Sequence, residues 1–464
     1  MHTMAPFLDR FLTEYDESLS AESYIDPVGT LIIWSAFGRQ VFNDRVNSIS
    51  NDVRNYTLNL FHHFLVRKLV DDDSVALSSS LQHKYHGKDT LPFKQACLVF
   101  LENLFVYSVL QHEGMDGVEP AGILGISNAR RRWDKAEGDP DIVFTHEPAG
   151  QILVRQLGLG VSGRYKTPLM KIGFFDGSYQ YNKPAFQPHW ADAEVFVAGK
   201  RDSLLGKLDG VAYPFLKKCS ARLRSGGNLK FRGKVPRELT MAYARAFASP
   251  RTVGSYARNF WLRQTELDCG AAGALFRVLE AKVDDQLGSQ QVLEHALRQE
   301  LHAAERAKLE QIAQLEPFLS DCVLLFTLMA AERTHSVASV AAYWEKFGRD
   351  ENRLPDLAQQ VKEHASLPSV KGSEVARRLV QLQQVANASG LDQQVRGLAD
   401  FHGKIMQSRG QLSWLAVEDD GTIKVNARTL SRPDPKSWTP GAWYNEYYLP
   451  QFRGFVMGLQ GVGT

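Results

Sequence analysis

Residues 217–263 read KKCSARLRSGGNLKFRGKVPRELTMAYARAFASPRTVGSYARNFWLR. Two periodicities meet in this stretch. From Ala221 to Lys234, Leu223, Leu229 and Phe231 alternate with Arg222, Arg224, Lys230 and Arg232 around Ser225-Gly226-Gly227-Asn228. Alternation about a glycine-rich turn predicts a β-hairpin with its cations on one face. From Pro236 the pattern turns helical. Pro236 suits a first helical position and leads a helix to Ala248; Ser249-Pro250 breaks it, and a second helix is predicted over 252–266.

The charge of this stretch is lopsided. Lys217, Lys218, Arg222, Arg224, Lys230, Arg232, Lys234, Arg237, Arg245, Arg251, Arg258 and Arg263 face a single carboxylate, Glu238. The balance is 12 − 1 = +11 in a chain of formal net charge +2, so the remainder sums to −9. A merely solvated face mixes signs. One carboxylate among twelve cations points instead to a polyanionic partner. Phe231, Tyr243, Phe247, Tyr256, Phe260 and Trp261 are interleaved, so rings that stay outside the core are expected to stack on bases while cations hold phosphates.

Upstream, from about residue 114 to 235, glycine and proline are frequent, and 142–144, 151–156 and 194–197 read as short strands. Gly158-Leu159-Gly160-Val161-Ser162-Gly163 fits GxGxxG. A dinucleotide site also needs a helix straight after the glycines and an acid about 20 residues on. Pro168 interrupts the one, and Asp176 and Asp192 miss the other, so a plain glycine turn is the expectation and no cofactor is implied. The same residues admit a helix-turn-helix: 147–157 as first helix, Gly158 as turn, Ser162 as cap. The second helix, 163–172, would present Arg164, Lys166, Thr167 and Lys171 to a major groove. With the cationic hairpin as wing, this is a winged-helix-like module.

The flanks read as helices. At the N-terminal end, Phe7, Leu8, Phe11, Leu12 and Tyr15 repeat at helical spacing, Asp52 is among the N-caps for a helix to Val70, and 91–111 is a strongly apolar helix. Arg130-Arg131-Arg132-Trp133 with Lys135 can pair with Glu137, Asp139 and Asp141 as readily as with phosphate. Residues 271–410 read as entirely helical, punctuated by Pro317, Pro355 and Pro368. The segment 412–425 reads as a hairpin about Asp419-Asp420-Gly421, and the aromatic tail 438–448 is expected to pack back on a domain.

The predicted fold is therefore mainly α with a small central α+β module. Four regions are expected: a helical domain 1–135, the basic module 136–270, a helical domain 271–410, and the hairpin and aromatic tail 411–464.

Catalytic patterns are absent from the sequence. His62-His63 are neighbours on a helix and do not share a face. Neither a GxSxG elbow nor a GxxxxGK[ST] loop is present, and no metal is implied. Cys97, Cys219, Cys269 and Cys322 form no CxxC pair and read as reduced thiols. The first ten residues do not read as a signal peptide, and the most apolar run, 322–331, is shorter than the roughly 20 residues of a membrane span. A cytoplasmic chain without a membrane partner is expected.

The function expected from these features is nucleic-acid binding, with DNA as the partner. It would be exerted by a non-catalytic subunit of a larger bacterial assembly, such as one of antiviral genome defence, whose helical regions hold protein partners. Two alternatives stand beside it. One is a helical scaffold that binds an acidic protein. The other is a divergent metal-dependent nuclease built on Asp139, Asp141 and Glu147, with Asp192, Glu194 and Lys200 further on.

Overall fold

The computed structural model describes residues 26–48, 51–281 and 286–461. Among the described residues, 21 helices and two small antiparallel sheets make a mostly helical protein. The helix expected around 7–15 lies outside them. The chain forms two compact units. The first is Asp44–Leu267 together with the chain from Gln451 onward; the second is residues 26–43 and Asp268–Pro450. Each unit thus draws on separate stretches of chain, a pattern the four linear regions do not anticipate.

In the first unit the core is built on two helices, Val53–Asp71 and Leu91–Gln111. The first starts where the Asp52 side chain accepts from Arg54 N at 2.8 Å, the N-cap read from the sequence. Both are buried on most sides, the second by a largely apolar sequence and the first with Arg54, Asn55, Asn59, His62 and His63 also inside. By length and composition Leu91–Gln111 and Ala303–Met329 are apolar enough to cross a membrane, yet 94% and 78% of their most apolar windows lie buried within the fold, as in core helices. The helix Pro250–Thr265 meets the chain's last described helix, Leu449–Gln460, at Gly254 and Gly458. A Cβ on Gly254 would run into the Gly458 carbonyl, so the crossing requires glycine.

Two readings of the basic region are corrected. Ala221 and Arg222 are the last turn of the helix Leu204–Arg222, not a strand. After the turn at 223–227, strand β2 (Asn228–Lys230) pairs with β1 (Asp141–Val143), Ile142 opposite Leu229, and Phe231–Lys234 is a helical turn. The alternation was real, but it records only which face is buried; any antiparallel partner satisfies it. The second correction concerns the helix-turn-helix. Residues 147–157 hold a single 3-10 turn, Pro148–Gly150, followed by Arg155 at φ +56. Three short helices follow: Gln156–Leu159, Val161–Arg164 and Lys166–Ile172. The strands expected at 151–156 and 194–197 are a loop leading into a helix and part of the helix Gln187–Ala198.

The second unit centres on Ala303–Met329. Pro317 sits inside this helix instead of ending it. Strands β4 (Leu415–Val417) and β5 (Thr422–Val425) form the hairpin, with Gly421 at φ +85 in the turn. Strand β3 (Thr334–Ser336) joins the far side of β5, in a stretch read as wholly helical. The aromatic tail does pack back, and it does so on a carboxylate. Glu316, fully buried, accepts from Tyr444 N at 2.6 Å, Asn445 N at 2.8 Å, Asn445 Nδ2 at 3.0 Å and Tyr447 Oη at 2.8 Å.

Burial pushes the Glu316 carboxyl up to about 7, against the pull of these donors. Its folded value exceeds its unfolded one, so between about pH 4.5 and 7 the folded state binds more protons. Stability then falls as pH rises through that window, by up to about 3 kcal/mol. Urea unfolding at pH 5 and pH 8 should show this loss in the native protein and none of this component in Glu316→Gln.

Candidate nucleic-acid interface

Charge separates between the two units. Residues 44–267 with 451–464 carry 32 lysines and arginines against 22 acids, a net of +10. Residues 26–43 with 268–450 carry 21 against 25, a net of −4. The basic field is a property of the first unit.

Within that unit the twelve cations of 217–263 divide. Lys217 is taken up by Asp72 at 2.9 Å and Ser74 at 2.6 Å, and Arg263 by Asp192 at 3.3 Å. Lys230 pairs with Asp141 at 3.3 Å across the small sheet. Arg258 is half-buried, and the exposed Arg232 lays its guanidinium over Trp133. Lys218, Arg222, Arg224, Lys234, Arg237, Arg245 and Arg251 are exposed, and their side chains make no ion pair among the described residues. These seven are the cations left for a partner.

Three elements meet around the C-terminal end of Leu91–Gln111. His112, just past it, contacts Thr240 Oγ1 at 3.0 Å on the helix Arg237–Ala246. Burial holds the His112 imidazole below its ordinary value, and the fields of Arg237 and Arg245 add to the effect. Glu113 is gripped by both terminal nitrogens of Arg130, at 2.6 and 2.7 Å, which brings in the helix Ile126–Lys135. On that helix Trp133 packs against Phe231 and Tyr107, with ring centroids 5.6 and 6.1 Å away, and the Arg232 guanidinium lies 5.5 Å over it. The structure thus gathers Arg130, Arg232, Arg237 and Arg245, drawn from helices far apart in sequence. The expected pairing of the arginine run with Glu137, Asp139 and Asp141 is not what forms: Arg130 takes Glu113, and Arg132 donates to Gln151 O at 2.8 Å.

Stacking by the aromatics of the basic stretch is also corrected. Phe231, Tyr243, Phe247, Phe260 and Trp261 are all buried, and Tyr256 is half-buried with its hydroxyl donating to Ala246 O at 2.8 Å. Amphipathic helices turned these rings inward.

The cations expected on a recognition helix are engaged within the fold. Lys171 pairs with Asp44 at 3.3 Å, Lys166 donates to Gly177 O at 2.8 Å, and Arg164 is half-buried. Their helix buries Pro168, Leu169 and Ile172. The glycine loop has its own explanation. Glu102, buried in Leu91–Gln111, accepts from Ser162 N at 2.7 Å and from Gln156 Nε2 at 3.0 Å. Burial raises its carboxyl, and these donors oppose that rise. The backbone amide that a phosphate would seek is bound to the protein's own carboxylate. A Cβ at Gly160 would press on Glu102, and one at Gly163 on the carbonyls of Leu157 and Gly158. The glycines serve packing.

No group of three or more His, Cys, Asp or Glu side chains is placed to hold a metal among the described residues. The carboxylates considered for a nuclease are dispersed: Asp141 to Lys230, Glu147 to Lys84 at 2.8 Å, and Asp139 to the Arg232 amide at 2.7 Å. His62 and His63 are buried, bonded to Tyr243 at 3.3 Å and Tyr181 at 2.9 Å. Compared with known families, characterised proteins and solved structures, the chain matches none.

Proposed function

We propose that this chain binds DNA through the first unit, as a cytoplasmic, non-catalytic component of a larger assembly. The observation that carries the reading is the set of seven exposed cations without ion pairs, within residues 44–267 and 451–464 of net charge +10. Solvated surfaces pair or mix their charges. Here Lys217, Arg263 and Lys230 do find acids, while Arg222, Arg224, Arg237 and Arg245 stay open. Phosphates would be neutralised by these side chains, with Lys234 beside them. Neither a recognition helix nor a wing is called on.

A labelled DNA duplex titrated at 50 and 200 mM salt tests the proposal. With about six phosphate contacts, affinity should drop by roughly three decades or more over that range, because counterions released on binding oppose it. A flat salt dependence, or no binding at 50 mM, would sink it.

A further inference from the structure

We infer that the first unit takes nucleic acid as a duplex and discriminates against single strands, an inference that rests on the nucleic-acid reading above. Binding a single strand tightly calls for open ring faces on which successive bases stack, together with a cationic track. The described residues of the first unit supply the cations without large open rings beside them. Among its described residues no Phe, Tyr or Trp side chain is fully exposed, and five are half-buried: Trp133, Phe186, Phe196, Tyr213 and Tyr256.

Each of the five already has a partner against its ring. The Arg232 guanidinium covers Trp133 at 5.5 Å, Lys183 sits 5.8 Å over Phe186, and Lys68 sits 4.5 Å over Tyr213. Phe196 is stacked on Phe260, with centroids 4.1 Å apart and planes 8° from parallel. Tyr256 lies 6.2 Å from Phe196. One of these covers is also held by another group, which makes it hard to displace: Lys68 is fixed to Asp209 at 3.0 Å.

What is left is an array of guanidinium and ammonium groups suited to phosphate, with no open Phe, Tyr or Trp face beside it. The duplex presents phosphates at twice the axial density of one strand and releases more counterions per contact. A single strand offers flexible bases that find no open Phe, Tyr or Trp face here, and the missing stacking is worth roughly a decade of affinity per base. The same contacts carry no sequence information.

The experiment is anisotropy of the full chain with a labelled 24-base-pair duplex, and with each of its strands alone, at 100 mM salt. The duplex should bind at least tenfold tighter than either strand, and a duplex of scrambled sequence should match it within about threefold. Strands that bind as tightly as the duplex would overturn this inference and leave the nucleic-acid reading standing. Failure of both duplex and strands to bind, at 50 mM as well as 100 mM salt, would overturn the two together.

Discussion

Changing Arg222, Arg224, Arg237 and Arg245 together to glutamate is expected to weaken duplex binding at 100 mM salt by roughly a thousandfold or more. Each substitution removes one phosphate contact and places a repelling charge in its stead. With about six contacts the logarithmic salt slope of the native protein should lie near −5, and loss of four should bring it near −2. The slope is the sharper readout, since it counts contacts and is insensitive to errors in active concentration. The four side chains are exposed and make no ion pair among the described residues, so the fold should be little disturbed. Lys217→Gln with Arg263→Gln is the matched control. These cations lie in the same stretch, but Asp72 and Asp192 already neutralise them. The control should bind within about threefold of the native protein. An equal loss in both variants would mean that net charge, and not the open arginines, drives association.

How much of this was legible from the residues depends on whether the deciding interaction was local. The helix Val53–Asp71 was readable from its cap and the helical spacing of its apolar residues, and Leu91–Gln111 from its density of Leu, Val and Phe. The hairpin of β4 and β5 was readable because Asp420-Gly421 carries its own turn geometry. The pairing of β2 was not, since nothing near Asn228 names Ile142 and Val143 as its neighbours. Nor was the conformation of 156–172, which is organised about Glu102 on a distant helix. A signal for it did exist: Glu102 is a lone acid in the run Cys97 to Val109. A carboxylate in such a run must find donors when buried, and the glycine loop supplies them. The site itself was legible as charge but not as geometry. Residues 217–263 drew notice by composition, whereas Arg130 joins through Glu113, a contact that only the packing of three helices creates.

Asp321→Ala is expected to destabilise the second unit by about 3–5 kcal/mol, the loss associated with breaking a buried ion pair from one side. Asp321 is 1% exposed and the Arg349 side chain paired with it is 0% exposed. Asp321 Oδ1 accepts from Arg349 Nη2 at 2.7 Å and from Nε at 3.0 Å, while Oδ2 accepts from Arg353 Nε at 2.8 Å. The remaining Arg349 donors reach the carbonyls of Phe347 at 2.6 Å, Trp438 at 2.7 Å and Thr439 at 3.2 Å. The guanidinium thus ties the start of the aromatic tail to the helix that carries Asp321. Removing the carboxylate leaves its charge among neutral carbonyls that cannot replace a counter-ion. Arg353, part-exposed, can turn to solvent, so Arg353→Ala should cost no more than about 1 kcal/mol. Replacing both buried partners, as Asp321→Leu with Arg349→Met, removes the stranded charge and should recover much of the loss. Urea unfolding followed by tryptophan emission reads this directly, because Trp344 lies 5.8 Å from the Arg349 guanidinium and Trp438 shares its hydrogen bonds. A loss in Asp321→Ala as small as that in Arg353→Ala would show that the pair holds nothing together. A large loss recovered by the double replacement would locate the cost in the orphaned arginine and not in the missing contacts.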